Sequence, residues 1–488
     1  MMKKISFICF LVVIIASKVH AVNYFGLKTQ IWEHMWVNGE SIDAVKNINN
    51  HKKKQWNVSK GNLSKYSDLG ATWNIIIVRH RLGDQLDFKR LHRIIDEHKV
   101  NGINVVFRLI EDPKVYKNFL GAPDKIFGYN RQYYRWVKAL SAEFKNDVFY
   151  YLIGNEVDHD LGHNLPKYRE VIINGDDYLK LVYTAKLALS ARNNKFKVVD
   201  HGVSSFTLGL AVADFLKENY GLQRAANFWS AFHYQRQSGY FSKNRLQKML
   251  ESKKIRNRIN IAKSTYLNCK YYDAIQLHHY FSPDVLPVIL DWINNQLNYS
   301  QCDVEIIATE IGYRLPFKKG EGWDGRVKNV ADWDKYLPEE HSATMVKDFV
   351  ILMSRGIDKI LYWQLRFHHD NNPTATLYKS TGNAIDFIIT PAVKAYNFYT
   401  MLMENATSTD VRIVNNPNIR EFQFTSDHII SVIWSANKNQ YLDLLKLPEI
   451  KSIYDMYGVP ITNDKKSKLL VTESPVFIIW KTTVVKGF

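Results

Sequence analysis

Apolar residues in this chain gather into short, nearly continuous runs, separated by longer stretches in which they recur every three or four positions. The runs cover 24–28, 73–79, 103–109, 148–155, 196–201, 274–279, 304–310 and 359–364. Runs of that kind predict strands buried on both faces, as in a parallel sheet. The stretches 131–144, 176–191, 283–297, 340–354 and 391–403 carry the helical period instead. Strand alternating with helix implies right-handed crossovers, and eight such units close naturally into a barrel. The fold class expected is therefore α/β, a (β/α)8 TIM barrel. No Gly-rich phosphate loop follows the first strand, which disfavours an open doubly wound sheet.

The pattern changes near residue 407. Short, often alternating runs at 421–426, 429–435, 441–445, 453–456 and 476–480 are punctuated by Asn437-Lys438-Asn439, Tyr457-Gly458-Val459-Pro460 and Glu473-Ser474-Pro475. This predicts a C-terminal antiparallel β-sandwich, so the expected division is a barrel over 22–405 and a sandwich over 406–488. The fifth barrel unit is long. Residues 202–273 hold an aromatic stretch, Phe228-Trp229-Ser230-Ala231-Phe232-His233-Tyr234, and a basic segment over 243–258, which implies an extended loop or a small subdomain whose role is not legible.

The amino terminus bears on compartment. Lys3-Lys4 precede an apolar stretch from Ile5 to Ala16, and Val19-His20-Ala21 suits a cleavage site, so 1–21 reads as a secretory signal peptide and the mature chain as secreted or periplasmic. The stretch is shorter than the ~20 apolar residues that span a bilayer, and no later one is long enough. Cys9 lies inside the signal, leaving Cys269 and Cys302 just upstream of the sixth and seventh strands. In an oxidising compartment these form a disulfide or stay as two buried thiols. Asn57, Asn62, Asn298 and Asn405 begin Asn-x-Ser/Thr triplets, which carry glycans only in a host that attaches them.

The net charge is +17, and removal of Lys3, Lys4 and Lys18 with the signal leaves +14. That balance mildly favours an anionic partner. The cations are scattered, and no basic and aromatic motif interleaves, so no nucleic-acid partner is expected.

Two runs end in a glutamate, Tyr150-Tyr151-Leu152-Ile153-Gly154-Asn155-Glu156 and Val304-Glu305-Ile306-Ile307-Ala308-Thr309-Glu310. A carboxylate at the carboxyl end of a barrel strand sits where such barrels do chemistry. Glycosidic hydrolysis needs one carboxyl to protonate the leaving oxygen and a second to attack or assist from the opposite face of the sugar. Gly154-Asn155-Glu156, His278-His279-Tyr280, Ala308-Thr309-Glu310 and Tyr362-Trp363, in that order on successive units, resemble the signature of the clan A retaining glycoside hydrolases. The ending Tyr454-Asp455-Met456-Tyr457-Gly458 with Ser474-Pro475-Val476-Phe477-Ile478 is similar to the sandwich that follows the barrel in the family 39 branch.

The resemblance implies an O-glycoside hydrolase that cleaves a β-linked oligo- or polysaccharide by double displacement, with no cofactor and no metal. Glu156 is then the acid/base and Glu310 the nucleophile. Asn155 binds the sugar 2-hydroxyl, Tyr280 contacts the nucleophile, and Trp363 floors the subsite next to the bond. Alternation puts His278 and Tyr280 on one strand face and His279 on the other, so His278 orients the site, unless it is a satisfied core histidine. Arg79 matches the clan arginine that keeps the nucleophile ionised, in competition with Arg81 and Arg108.

Rival readings rest on less. Asp158, His159, Asp160 and His163 suggest a metal cluster, but the His-Glu-x-x-His spacing is absent and a polar loop suits them better. Ser204-Ser205 lacks the Gly-x-Ser-x-Gly elbow of serine hydrolases. His368-His369-Asp370 fall in a loop, where they meet sugar or stay solvated, and Trp32, Trp36, Trp323 and Trp333 fall in loops, where they stack on sugar or fill loop cores. A barrel that binds carbohydrate without turnover is the alternative from another class; two intact glutamates speak against it. Sugar, linkage, endo or exo action and oligomeric state are not legible.

Overall fold

The apolar runs pair side by side in chain order and close on themselves. The computed structural model describes residues 24–28, 35–36, 69–80, 88–111, 128–158, 175–190, 195–233, 242–313, 338–363, 378–380, 387–409, 413–414, 416–436, 438–462 and 467–481. The signal segment, Arg81, Trp32, Trp323, Trp333, His159, Asp160, His163 and His368 to Asp370 lie outside the described residues. The barrel strands are β1 (Tyr24–Lys28), β2 (Trp73–His80), β3 (Asn104–Glu111), β4 (Tyr150–Ile153), β5 (Lys197–Val199), β6 (Ala274–His279), β7 (Glu305–Ile311) and β8 (Lys359–Trp363). Every neighbouring pair is parallel, and Gly26 of β1 pairs with both Leu361 of β8 and Trp73 of β2, which closes the barrel. A two-residue strand, Met35–Trp36, lies beside the end of β2.

Alternation along the strands makes two layers. Trp73, Ile75, Val106, Leu152, Val199, Ala274, Ile307 and Leu361 point inward and pack as a separate cluster that fills the barrel. Their neighbours Phe107, Leu109, Tyr151, Ile153, Leu277, Ile311 and Tyr362 point outward into the main core under the helices. At the amino-terminal end Lys359 Nζ lies 2.6 Å from Glu305, which also accepts a hydrogen bond from the Tyr150 hydroxyl at 3.1 Å. With the barrel floor filled, polar side chains above that layer face the carboxyl end.

Among the described residues the long fifth unit holds four α-helices, Ser205–Tyr220, Leu222–Phe232, Lys243–Glu251 and Lys253–Leu267. Ser242 and Ser252 cap the last two, accepting from the backbone N–H of Arg245 and Ile255, so the basic segment is two short helices and not one long one. Of the aromatic stretch, Phe228, Trp229 and Phe232 are core: Trp229 stacks on Phe232, and Phe232 on Phe281 beyond β6, with ring centroids 5.2 and 4.1 Å apart. A disulfide joins Cys269 to Cys302, just ahead of β6 and β7.

Past the last barrel helix, Pro391–Met403, comes a five-stranded antiparallel sheet of Thr407–Thr409, Ile419–Thr425, Ile429–Ser435, Val476–Trp480 and Ile450–Asp455. One face presents Phe424, Ile430, Val432 and Phe477 to the barrel core, with Phe398 and Tyr399 set edge-on to Phe477. The other face presents Ile433, Ile478 and Trp480 to Leu442, Leu469 and Val471 of a two-stranded sheet, Gln440–Asp443 with Lys468–Val471. That is the expected sandwich, small and seated on the barrel. Among the described residues no helix is long and apolar enough to cross a membrane.

Candidate active site

Strict alternation would turn Glu310 away from the barrel interior, because Ile307 points inward. The β6–β7 pairing instead jumps from Leu277↔Ala308 to His278↔Glu310. This bulge leaves Thr309 out of the ladder and turns Thr309 and Glu310 inward together, while Ala308 and Ile311 stay in the outer core.

Glu310 is 4% exposed and well held. Arg108 Nη1 donates to one carboxylate oxygen at 2.6 Å, and the Tyr280 hydroxyl donates to the other at 2.5 Å. Burial, then the adjacent Glu310 charge, pushes the Tyr280 phenol well above its ordinary range, so it remains a donor. Arg108 stands mid-strand among apolar neighbours and is itself buried, a position that a guanidinium occupies only when paired. Its Nη1 also donates to Asn155 Oδ1 and its Nη2 to Gln276 Oε1 at 3.0 Å. Gln276 Oε1 accepts in addition from the Thr309 hydroxyl at 2.8 Å, while the Gln276 backbone N–H donates to Asp200 Oδ1 at 2.5 Å. Burial raises Asp200 to about 7.

The other glutamate reaches the interior differently. β4 stops at Ile153, Gly154 turns with φ +84°, and Glu156 takes φ +42°, a left-handed conformation costly for a residue with a Cβ. Its backbone N–H is held by the His201 carbonyl at 2.9 Å. The Glu156 side chain is 18% exposed, and its carboxylate lies 3.0 Å from His278 Nδ1. The Thr309 hydroxyl proton is committed to Gln276, so Thr309 Oγ1 accepts from His278 Nε2–H across 3.1 Å. Nδ1 is thus the ring nitrogen that faces Glu156. His278 fits because position 202 is glycine: a Cβ there would stand 2.4 Å from its ring nitrogen.

One oxygen of Glu156, one of Glu310 and a His278 nitrogen all lie within 4.8 Å of one another. Arg108 already supplies the positive charge that a metal would bring to this group.

The structure thus brings Glu156, Glu310, Asn155, His278 and Tyr280 together. Trp363 ends β8 beside them: a Cβ on Gly312 would meet the Trp363 carbonyl at 2.5 Å and the Tyr280 ring at 2.9 Å. Among the described side chains, Arg108 places a guanidinium on Glu310. Arg79 lies near the end of β2, pairing with Trp36 and Ile110, and its side chain lies outside the described ones. Asp158, expected in a polar loop, is instead fully buried. Gln276, Thr309 and Asp200 went unread in the sequence, although Arg108 and Gln276 had a signal, each being polar inside an apolar strand.

No family model and no curated relative matches the sequence. Solved structures do match. A family 39 glycoside hydrolase from the gut symbiont Bacteroides cellulosilyticus WH2 is similar with a TM-score of 0.55 at 12% identity, over 94% of this chain and 80% of that one. The chain shares the fold of that family 39 structure, a parallel barrel followed by an antiparallel β-domain. A looser likeness links it to a monomeric β-xylosidase from Caulobacter crescentus CB15, with a TM-score of 0.47 at 12% identity over 86% of this chain and 92% of that one. At 12% identity the first likeness is one of fold and brings no residue roles with it.

Proposed function

We propose that this protein is an exported retaining glycoside hydrolase that cleaves a β-linked oligo- or polysaccharide by double displacement. The observation that carries this reading is the approach of the Glu156 and Glu310 oxygens to within 4.8 Å, which suits the carboxyl separation of about 5 Å in retaining enzymes and falls short of the roughly 6.5–9.5 Å of inverting ones.

In this reading Glu310, ionic and aimed by Arg108 and Tyr280, attacks the anomeric carbon. Glu156 gives its proton to the leaving oxygen as that bond breaks. Glycosylation removes the Glu310 charge, and Glu156 then takes a proton from the water that cleaves the ester. Since Arg108 occupies Asn155 Oδ1, the Asn155 amide N–H groups are left to donate to a sugar hydroxyl. Trp363 offers a ring to the sugar face. The disulfide suits an oxidising compartment, and amino-terminal sequencing of exported protein tests cleavage after Ala21.

The basic charge mildly favours an anionic glycan. Lys243, Arg245, Lys248, Lys253, Lys254 and Arg256 are all exposed on the insertion, with Glu251 the single acid among them. For such a substrate kcat/KM falls as salt is raised, whereas a neutral polymer is indifferent.

The test is a panel of aryl β-glycosides and polysaccharides. Wild type turns over at least one; Glu310→Gln falls to background; Glu156→Ala loses about 10²–10⁴-fold on unactivated substrates and regains rate with azide on an activated one. Glycan binding without turnover in the wild type means a carbohydrate-binding barrel and sinks the hydrolase.

A further inference from the structure

The left-handed turn at Glu156 needs support, and the structure supplies it from the insertion. Two residues after Glu156, Asp158 is fully buried and completely engaged. Its carboxylate accepts from the Ser204 backbone N–H at 3.0 Å and the Ser204 hydroxyl at 2.5 Å, and its carbonyl accepts from Arg258 Nε at 3.0 Å. Ser204 precedes the first insertion helix, and its hydroxyl lies 3.0 Å from that of Thr207. Arg258 comes from the last insertion helix, is 7% exposed, and lies with its guanidinium over the Phe206 ring, 5.7 Å from the centroid.

The opposite side of the turn is tied to the same helix. His201, whose carbonyl holds the Glu156 N–H, places its ring Nε2 3.1 Å from the hydroxyl of Thr265. Burial lowers the His201 ring to about 4. The first and last insertion helices therefore grip the turn before and after the carboxylate. A non-glycine residue persists at positive φ only where its surroundings over-determine it.

We propose that the four-helix insertion between β5 and β6 is the positioning element of the acid/base carboxylate, with Arg258, Ser204 and Asp158 as the clamp that holds Glu156 against His278 and opposite Glu310. The proposal rests on the hydrolase reading above. These are positioning residues, since none touches the reacting atoms. Without Arg258 the carbonyl of Asp158 loses its buried donor, Glu156 relaxes toward negative φ, and its carboxyl swings off the leaving oxygen.

A displaced acid has a signature that general loosening lacks. A dinitrophenyl leaving group departs without protonation, whereas a methyl or 4-methoxyphenyl leaving group requires it. On β-glycosides of whichever sugar the wild type cleaves, Arg258→Ala and Ser204→Ala lower kcat/KM about 10–10²-fold for the poor leaving groups. For the dinitrophenyl glycoside both variants stay within about twofold of wild type. Arg258→Lys, which keeps a buried donor, recovers most of the loss. Equal losses on both leaving groups, or no loss on either, overturn the clamp. Ser204→Ala keeps the test open if Arg258→Ala fails to fold. A crystal structure of Ser204→Ala or Arg258→Lys adds a readout free of turnover. Retention of Glu156 near φ +42° and of its 3.0 Å contact with His278 in the weakened variant, Ser204→Ala, refutes the clamp even if no glycoside proves to be a substrate.

Discussion

The carboxyl ends of β4 and β7 present the same residue to the same space by opposite means. Glu310 stays within its strand, turned inward by one extra residue, 4% exposed and fastened by Arg108 and Tyr280. Glu156 leaves its strand through a left-handed turn, keeps part of its side chain in solvent and meets only a histidine among the charged or polar side chains described around it. The first environment favours a fixed anion. The second leaves a carboxyl open to solvent, without a cation such as Arg108 among the described side chains that touch it. Two identical side chains thus differ in chemistry through what surrounds them, the division of labour that a two-step displacement requires.

Breaking the ionic hold on Glu310 is the largest perturbation expected. Arg108→Met leaves a buried carboxylate without its cation and costs about 3–5 kcal/mol of stability. In Arg108→Met/Glu310→Gln the neutral amide needs no counter-charge, and most of that loss returns; urea unfolding of the four members of the cycle measures it. Simple additivity would mean that the pair is not coupled, and the contrast between the two strand ends would fall.

Asp200 sharpens the comparison through pH. It supports the β7 side by way of Gln276, and burial raises it from 3.8 to about 7. The folded state therefore holds this proton more tightly than the unfolded chain. The stability it contributes is complete below pH 3.8 and is lost as pH rises through about 7, a change of about 4 kcal/mol at most. Asp200→Asn flattens that decline, so melting temperatures of the two proteins converge in acid, with the variant the more stable above neutrality. A parallel offset at every pH would contradict it.

The smallest effect tests the link between His278 and Glu156. Thr309→Ala deletes the acceptor that fixes the tautomer of His278 and costs about 1 kcal/mol in stability. With Nε2 released, the ring can turn its proton toward Glu156, and the alkaline limb of kcat/KM, where the proposed acid must still hold its proton, moves while the dinitrophenyl rate at its optimum holds. An unmoved limb separates His278 from the acid.

Periodicity alone was enough for the barrel. Buried runs on alternate units, with 3.6-residue helices between them, leave few closed arrangements, and all eight expected strands begin and end within two residues of those observed. The strand-end position of the two glutamates was legible for the same reason, since it depends on sequence order and strand direction. So was the inward face shared by His278 and Tyr280, because β6 alternates regularly up to them. What sequence could not tell is where alternation fails. The bulge at Thr309 and the positive φ at Glu156 are imposed by contacts with β6, Arg108 and the His201 carbonyl, all distant along the chain. The contact of Arg108 with Glu310, and the burial of Asp158 beneath helices 46 to 100 residues away, are likewise decided by which side chains meet. Local pattern reports the cost of burying a residue, whereas charge pairing and backbone strain are settled only by the partners that the closed barrel brings within reach.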